Sequence, residues 1–318
     1  MQLRNSILCL VLLGAIPGLA VDPAMMNLVS PESKVVTGMD IDRMKNSPFG
    51  QYLMSQMKLM EEDGRRFMDT IGFDPSRDLR EVLASVNDVE AKSSGGVLMI
   101  RGTFDETKVA AFAATSGASM TSHQGVRMIT PHNGSHDMAM AFAAGNLLIL
   151  GEQAGVKSAI DRMRAGSKLD AKIAAKMQSA SNGYDAWVLT TGSPTSLAGS
   201  VENPNMKGMM NSDLMKGIES MIAGVRFGAN VEFGAEAMAR SERDAQALAD
   251  VVSFFLSMAQ SNGGRGQGPA QILETLETKV DGRVVRLTLR ATEQDFEKMF
   301  APQKKVGPKV RVKPAAVK

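Results

Sequence analysis

The sequence predicts an α+β fold of two pseudo-repeated modules, each a mainly antiparallel sheet packed against helices. Three observations lead there. Strand-like alternation recurs in both halves of the chain, tight-turn dipeptides join neighbouring strand candidates, and one order of elements occurs twice at an offset of about 140 residues.

Each copy opens with a strand and a Ser-Pro step. Lys34–Met39 leads to Ser47-Pro48, and Trp187–Gly192 leads directly to Ser193-Pro194. Serine caps a helix and proline suits its first turn. Next come apolar patterns at helical spacing, Leu79, Val82 and Leu83 after Asp78, and Ile218, Met221 and Ile222 after Asp213-Leu214. Both are expected to be helices. Extended segments follow at Val97–Arg101 and Val225–Ala239, and further helices are expected from Asp105-Glu106 and Ser241-Glu242.

Hairpins then close each copy. Met138, Met140 and Phe142 alternate with alanine before a Gly145-Asn146 turn and the return strand Leu147–Leu150. In the second copy Asp281-Gly282 turns the chain, and Val285, Leu287 and Leu289 alternate with Arg286, Thr288 and Arg290. Glycine and Asn/Asp tolerate the positive φ that such turns need. Leu147–Leu150 is apolar on both faces and should be a central strand, whereas Arg286, Thr288 and Arg290 should leave one face of the second copy in water. Closing helices are expected at Glu152-Gln153 and Glu293-Gln294.

This divides the chain into a signal peptide (1–20), a first module (21–180), a second module (181–302) and a basic tail (303–318). The join is expected at the Ser/Asn/Gly cluster Ser179–Gly183, with a second flexible stretch at Asn262–Gly268. Arg4, the apolar run Ile7–Leu13 and the small residues Gly18 and Ala20 are the marks of a secretory signal, and the run is too short to span a bilayer. The expectation is an exported protein, periplasmic or extracellular. Cleavage would remove Cys9, the single cysteine, and with it any disulfide or thiol chemistry.

Charge is unevenly distributed. The body from Val21 to Pro302 holds 29 basic and 34 acidic residues, while Lys304, Lys305, Lys309, Arg311, Lys313 and Lys318 meet no acid in the tail. That tail suits an anionic envelope surface. It has no aromatic residue to stack on bases, which argues against a specific nucleic-acid partner.

Recognised catalytic constellations are missing. Ser55-Gln56-Met57-Lys58 has the Ser-x-x-Lys spacing of penicillin-interacting enzymes, but the Lys-Thr-Gly strand of those enzymes is lacking. Gly264-x-Gly266-x-Gly268 follows a helical pattern rather than a strand, so it fails as a nucleotide loop. His132 and His136 flank a turn but make only two ligands, and Asp40-Ile41-Asp42 reads as helix N-terminal charge. No metal site or cofactor is expected.

Methionine is the unusual component, with 24 in the chain. Thioethers bind Cu(I), but they also fill cores and adaptable grooves. Phe49, Leu53, Met57 and Met60 form the buried stripe of a helix, and Met206, Met209, Met210, Met215 and Met221 mark a candidate apolar groove.

The segment Ser33–Leu83 carries Met39-Asp40-Ile41-Asp42, Ser47-Pro48-Phe49-Gly50-Gln51-Tyr52 and Gly72-Phe73-Asp74-Pro75-Ser76-Arg77-Asp78-Leu79. In these marks the chain resembles a group of uncharacterised exported bacterial proteins with a duplicated α+β plan. The resemblance implies a fold and export, and brings no activity. The residues together lead to a non-enzymatic envelope protein whose partner is an apolar small molecule or a protein. A copper- or oxidant-handling protein and a carboxylate-based hydrolase are the alternatives. The sequence specifies no oligomeric state.

Overall fold

A computed structural model describes residues 21–57, 62–87, 95–131, 137–143, 146–195, 197, 208, 212–228, 230–262, 272 and 274–292. The fold is α+β. The elements of its first part are α1 (Pro23–Met26), β1 (Val35–Asp40), α2 (Ile41–Lys45), α3 (Pro48–Met57), α4 (Glu62–Ile71), α5 (Pro75–Asp78), β2 (Leu79–Val86), β3 (Val97–Gly102), α6 (Glu106–Thr115), β4 (Ser119–His123), β5 (Val126–Thr130), β6 (Met138–Ala143), β7 (Leu147–Glu152) and α7 (Gln153–Ala165). There follow α8 (Ala171–Gly183), β8 (Ala186–Thr190), α9 (Asp213–Lys216), β9 (Ile218–Arg226), β10 (Asn230–Ala239), α10 (Glu242–Asn262), β11 (Glu277–Asp281) and β12 (Val284–Thr292).

The twelve strands of the described residues lie in one antiparallel sheet, ordered β11-β12-β10-β9-β8-β1-β2-β3-β7-β6-β5-β4. The two halves meet where β1 pairs with β8, Val35 opposite Thr190 and Met39 opposite Ala186. Two strand edges that would otherwise present unpaired N–H and C=O groups satisfy one another there.

Two expected helices are strands. Leu79, Val82 and Leu83 lie on β2, and Ile218, Met221 and Ile222 on β9. The reason is burial on both faces: Leu83 enters the main core while Val82 packs against Ile41 and Met44 on the other side. A strand covered on both sides loses its alternation and cannot be told from a helix by periodicity. Short helices α5 and α9 do precede these strands. Asp74 caps α5 by accepting from the N–H of Ser76, and Ser212 caps α9 by accepting from that of Met215.

The expected join at Ser179–Gly183 is the last turn of α8. Asp170 accepts from the N–H groups of Lys172 and Ile173, and the following residues carry the helix to Gly183. The second hairpin turns at Gly282-Arg283 rather than Asp281-Gly282, since Asp281 already pairs with Val284; Gly282 supplies the positive φ of +55°. Gly145, the stretch from Gly263 to Gly268, and the helix expected at Glu293-Gln294 lie outside the described residues.

Helices lie on both sides of the sheet, distinguished below by α7 and α10. On the α7 side, α1, α7 and α8 cover the main core, where Met25, Leu83, Met99, Ile149, Ile160 and Leu189 are fully buried. On the α10 side, Val109 and Ala113 of α6 and Ile71 of α4 pack on Ile129, Phe142 and Leu148. Strand β7 is thus covered on both faces, as its apolar run implies. Asp40 caps α2 by accepting from the N–H of Arg43, which fits the helix-end reading of Asp40-Ile41-Asp42. Of the stripe expected on α3, Phe49 is buried, while the side chains of Leu53 and Met57, and Met60, lie outside what is described; Met54, outside that stripe, joins the cluster around Ile41.

Candidate functional site

The four strands β8, β9, β10 and β12 put four cross-strand rows on the α10 side. Val231 lies opposite Ala291. The next row is Ala186, Val225, Phe233 and Leu289, then Val188, Ala223, Ala235 and Leu287, then Thr190, Met221, Ala237 and Val285. Among the described residues, helices pack on the two ends. At one end Phe49 of α3 packs with Val231, Ile272 and Ala291, its ring 5.7 Å from that of Phe227. At the other end Ala245, Leu248 and Ala249 of α10 pack on Ile218, Ala237 and Val285.

Between these clusters the two middle rows form a trough of about 520 Å³. Its floor is low because Ala223 and Ala235 face each other, and its sides are Val188, Val225, Phe233, Leu276, Leu287 and Leu289. Every described side chain lining it is apolar. The opposite, α7, side of β10 and β12 differs sharply. There Arg290 reaches Glu232 at 3.0 Å and Arg286 reaches Glu236 at 2.8 Å, and both arginines are exposed. Tyr184 also lies across Gly224 and Gly234, positions where any Cβ would overlap its ring. Solvent therefore meets charge on one face and hydrocarbon on the other.

Met215 and Met221 pack against the Ile218 cluster at the end of this trough, one row from its floor. Met206, Met209 and Met210 lie outside the described residues, as do Lys304, Lys305, Lys309, Arg311, Lys313 and Lys318, and His132 and His136. The methionine reading pointed close to the trough but missed its lining. The signal that could have found it was the pairing of small residues Ala223-Gly224 and Gly234-Ala235 on adjacent strands, beside the alternation of Leu287 and Leu289. Elsewhere Met25, Met99, Met128 and Met177 are wholly buried in the main core.

Carboxylates do gather at one end of the central strands. Glu81 lies opposite Asp40 on the sheet and opposite Arg101 on its other side, while the N–H of Asp40 donates to the carbonyl of Asp185. Burial pushes the Glu81 carboxyl up to about 7, against the pull of the Asp22 N–H and the Arg101 charge. Burial also raises Asp40, despite the Arg43 N–H and guanidinium beside it. Each carboxylate nevertheless holds backbone: Glu81 accepts from Asp22, Asp40 from Arg43, and Asp185 from Phe227 at 2.6 Å. Such groups fasten chain ends to the sheet. Among the described residues no group of three or more His, Cys, Asp or Glu is placed to hold a metal ion, and no helix is long and apolar enough to cross a membrane.

No protein-family profile matches the chain, and no curated protein matches it. A solved structure described as crystal form IV of TP0453 is similar over 89% of this chain and 98% of its own, with 12% identity and a TM-score of 0.49. A likeness at that level assigns neither family nor function.

Proposed function

We propose that this is an exported, non-enzymatic protein that binds the hydrocarbon part of an apolar ligand in the trough over β8, β9, β10 and β12. The carrying observation is the lining: a concave surface of about 520 Å³ without one polar side chain among the described residues. Ligand sites span about 300–1,000 Å³ and use polar groups to orient what they hold. A site lacking them suits a flexible aliphatic chain, whose polar end stays in solvent. Export rests on the sequence of residues 1–20, and the charged opposite face is consistent with a surface kept in water.

The finer architecture belongs to the same reading. The orders β1-β2-β3-β7-β6 and β8-β9-β10-β12-β11 run in parallel, with a helix after the third strand of each set. This supports two copies of one module, fused through β1 and β8. Among the described residues the second copy's middle rows line the trough, where the first covers the corresponding side with α4 and α6.

Titration of the full chain with a fluorescent long-chain fatty acid tests the function. Ala235→Trp fills the floor and should weaken binding at least about tenfold, since a buried aromatic side chain excludes the ligand volume. Met215→Ala should leave binding near the parent value. Equal affinity for the parent and Ala235→Trp, with the folded state intact by circular dichroism, would overturn the assignment.

A further inference from the structure

A second cleft, of about 410 Å³, lies on the α7 side of the first half, between the loop before β1, the end of β2 and helix α7. Its polar groups are Ser30, Glu32, Asn87, Ser158 and Arg162, and it reaches the first turn of α7 at Ala154 and Gly155. We propose that it binds a small organic molecule through a phosphate or carboxylate group.

Arg162 is the first reason. Its Nε and one terminal nitrogen donate to the carbonyl of Leu28, at 3.0 and 2.6 Å. That uses one edge of the planar guanidinium. The other edge retains its donors, and among the described residues no carboxylate lies within ion-pairing distance. A fork of this kind is the side chain best matched to an oxyanion.

Asn87 is the second. Its Oδ1 accepts from the Ser33 hydroxyl at 3.1 Å, which fixes the amide so that Nδ2 faces Gly95 at the cleft wall. Nδ2 and the Ser158 hydroxyl make no hydrogen bond among the described residues. Guanidinium, amide and hydroxyl donors thus line one cleft, beside the first turn of α7. Glu32 is the one acidic residue of the described lining, its carboxylate exposed, while Glu152 stands at the N-cap of α7 and Asp161 neighbours Arg162. The volume is far larger than a single oxyanion, so the charged group is one end of a larger molecule.

Calorimetric titration of the full chain with inorganic phosphate, and separately with acetate, tests this site. Saturable binding of either is expected, weakened by added salt because the site is open to solvent. Ser158→Ala should weaken it about threefold through loss of one donor, and Glu32→Gln should tighten it about threefold through loss of repulsion. Both positions are exposed, so neither change endangers the fold. Stronger binding of phosphate assigns the phosphate class, and stronger binding of acetate the carboxylate class. No saturable binding, or binding unmoved by both substitutions, overturns the proposal. The trough plays no part in this result.

Discussion

Gly38→Ala should destabilise the protein by about 3 kcal/mol, the upper range for overpacking a rigid core. Gly38 sits in the middle of β1, opposite Trp187 on β8 at the seam between the two halves. A Cβ there would overlap the six-membered ring of Trp187 and lie 2.7 Å from its Nε1. The indole is only 5% exposed and packs in the main core, so it cannot swing aside. Chemical denaturation measures the loss, and the emission of Trp187, the one tryptophan, reports the site directly. Trp187→Phe removes the colliding atoms. Adding Gly38→Ala to Trp187→Phe should therefore cost at least about 1 kcal/mol less than adding it to the parent. Full additivity of the two changes would place the collision elsewhere.

Stability should also fall as pH rises from about 4.5 to about 7, through Glu81. The folded state holds a proton on this carboxyl up to about 7, whereas an unfolded glutamate releases it near 4.5. The favourable contribution is complete below the lower value and is lost as pH climbs through the upper one. The shift corresponds to roughly 3 kcal/mol. Glu81→Gln keeps an oxygen to accept from the Asp22 N–H and leaves Arg101 paired with Asp22 at 2.5 Å. This variant should match the parent near pH 4.5 and exceed it by up to about 3 kcal/mol at pH 8. An equal loss of stability at both pH values would show that Glu81 acts by its shape and not by its proton.

Much of the fold is legible in local chemistry. Asp105 caps α6, Gly282 turns the last hairpin, and the doubly apolar run of β7 places it inside the sheet. The failures share one cause. β2 and β9 carry apolar side chains on both faces, on β9 Ile222 toward the main core and Met221 toward α10, so their patterns resemble helices, and tertiary packing rather than spacing decides their form. The trough escaped for a related reason. Its floor consists of Ala223 and Ala235, residues without a signature of their own, and it lies between the places where α3 and α10 pack on the sheet. Long-range packing of α3 on β10 and β12, through Phe49 with Val231 and Ala291, has no local signal. Methionine density pointed to Met215 and Met221 at the margin because soft side chains gather where packing is irregular.

The central claim is that the rows lining the trough bind hydrocarbon. Methyl NMR of the full chain during titration with a long-chain fatty acid addresses it most directly. The account expects saturable shifts concentrated on Val188, Ala223, Val225, Ala235, Leu287 and Leu289, with Ile149 and Ile160 of the main core unchanged. Shifts that spare the trough methyls, or that centre on the main core, would contradict it.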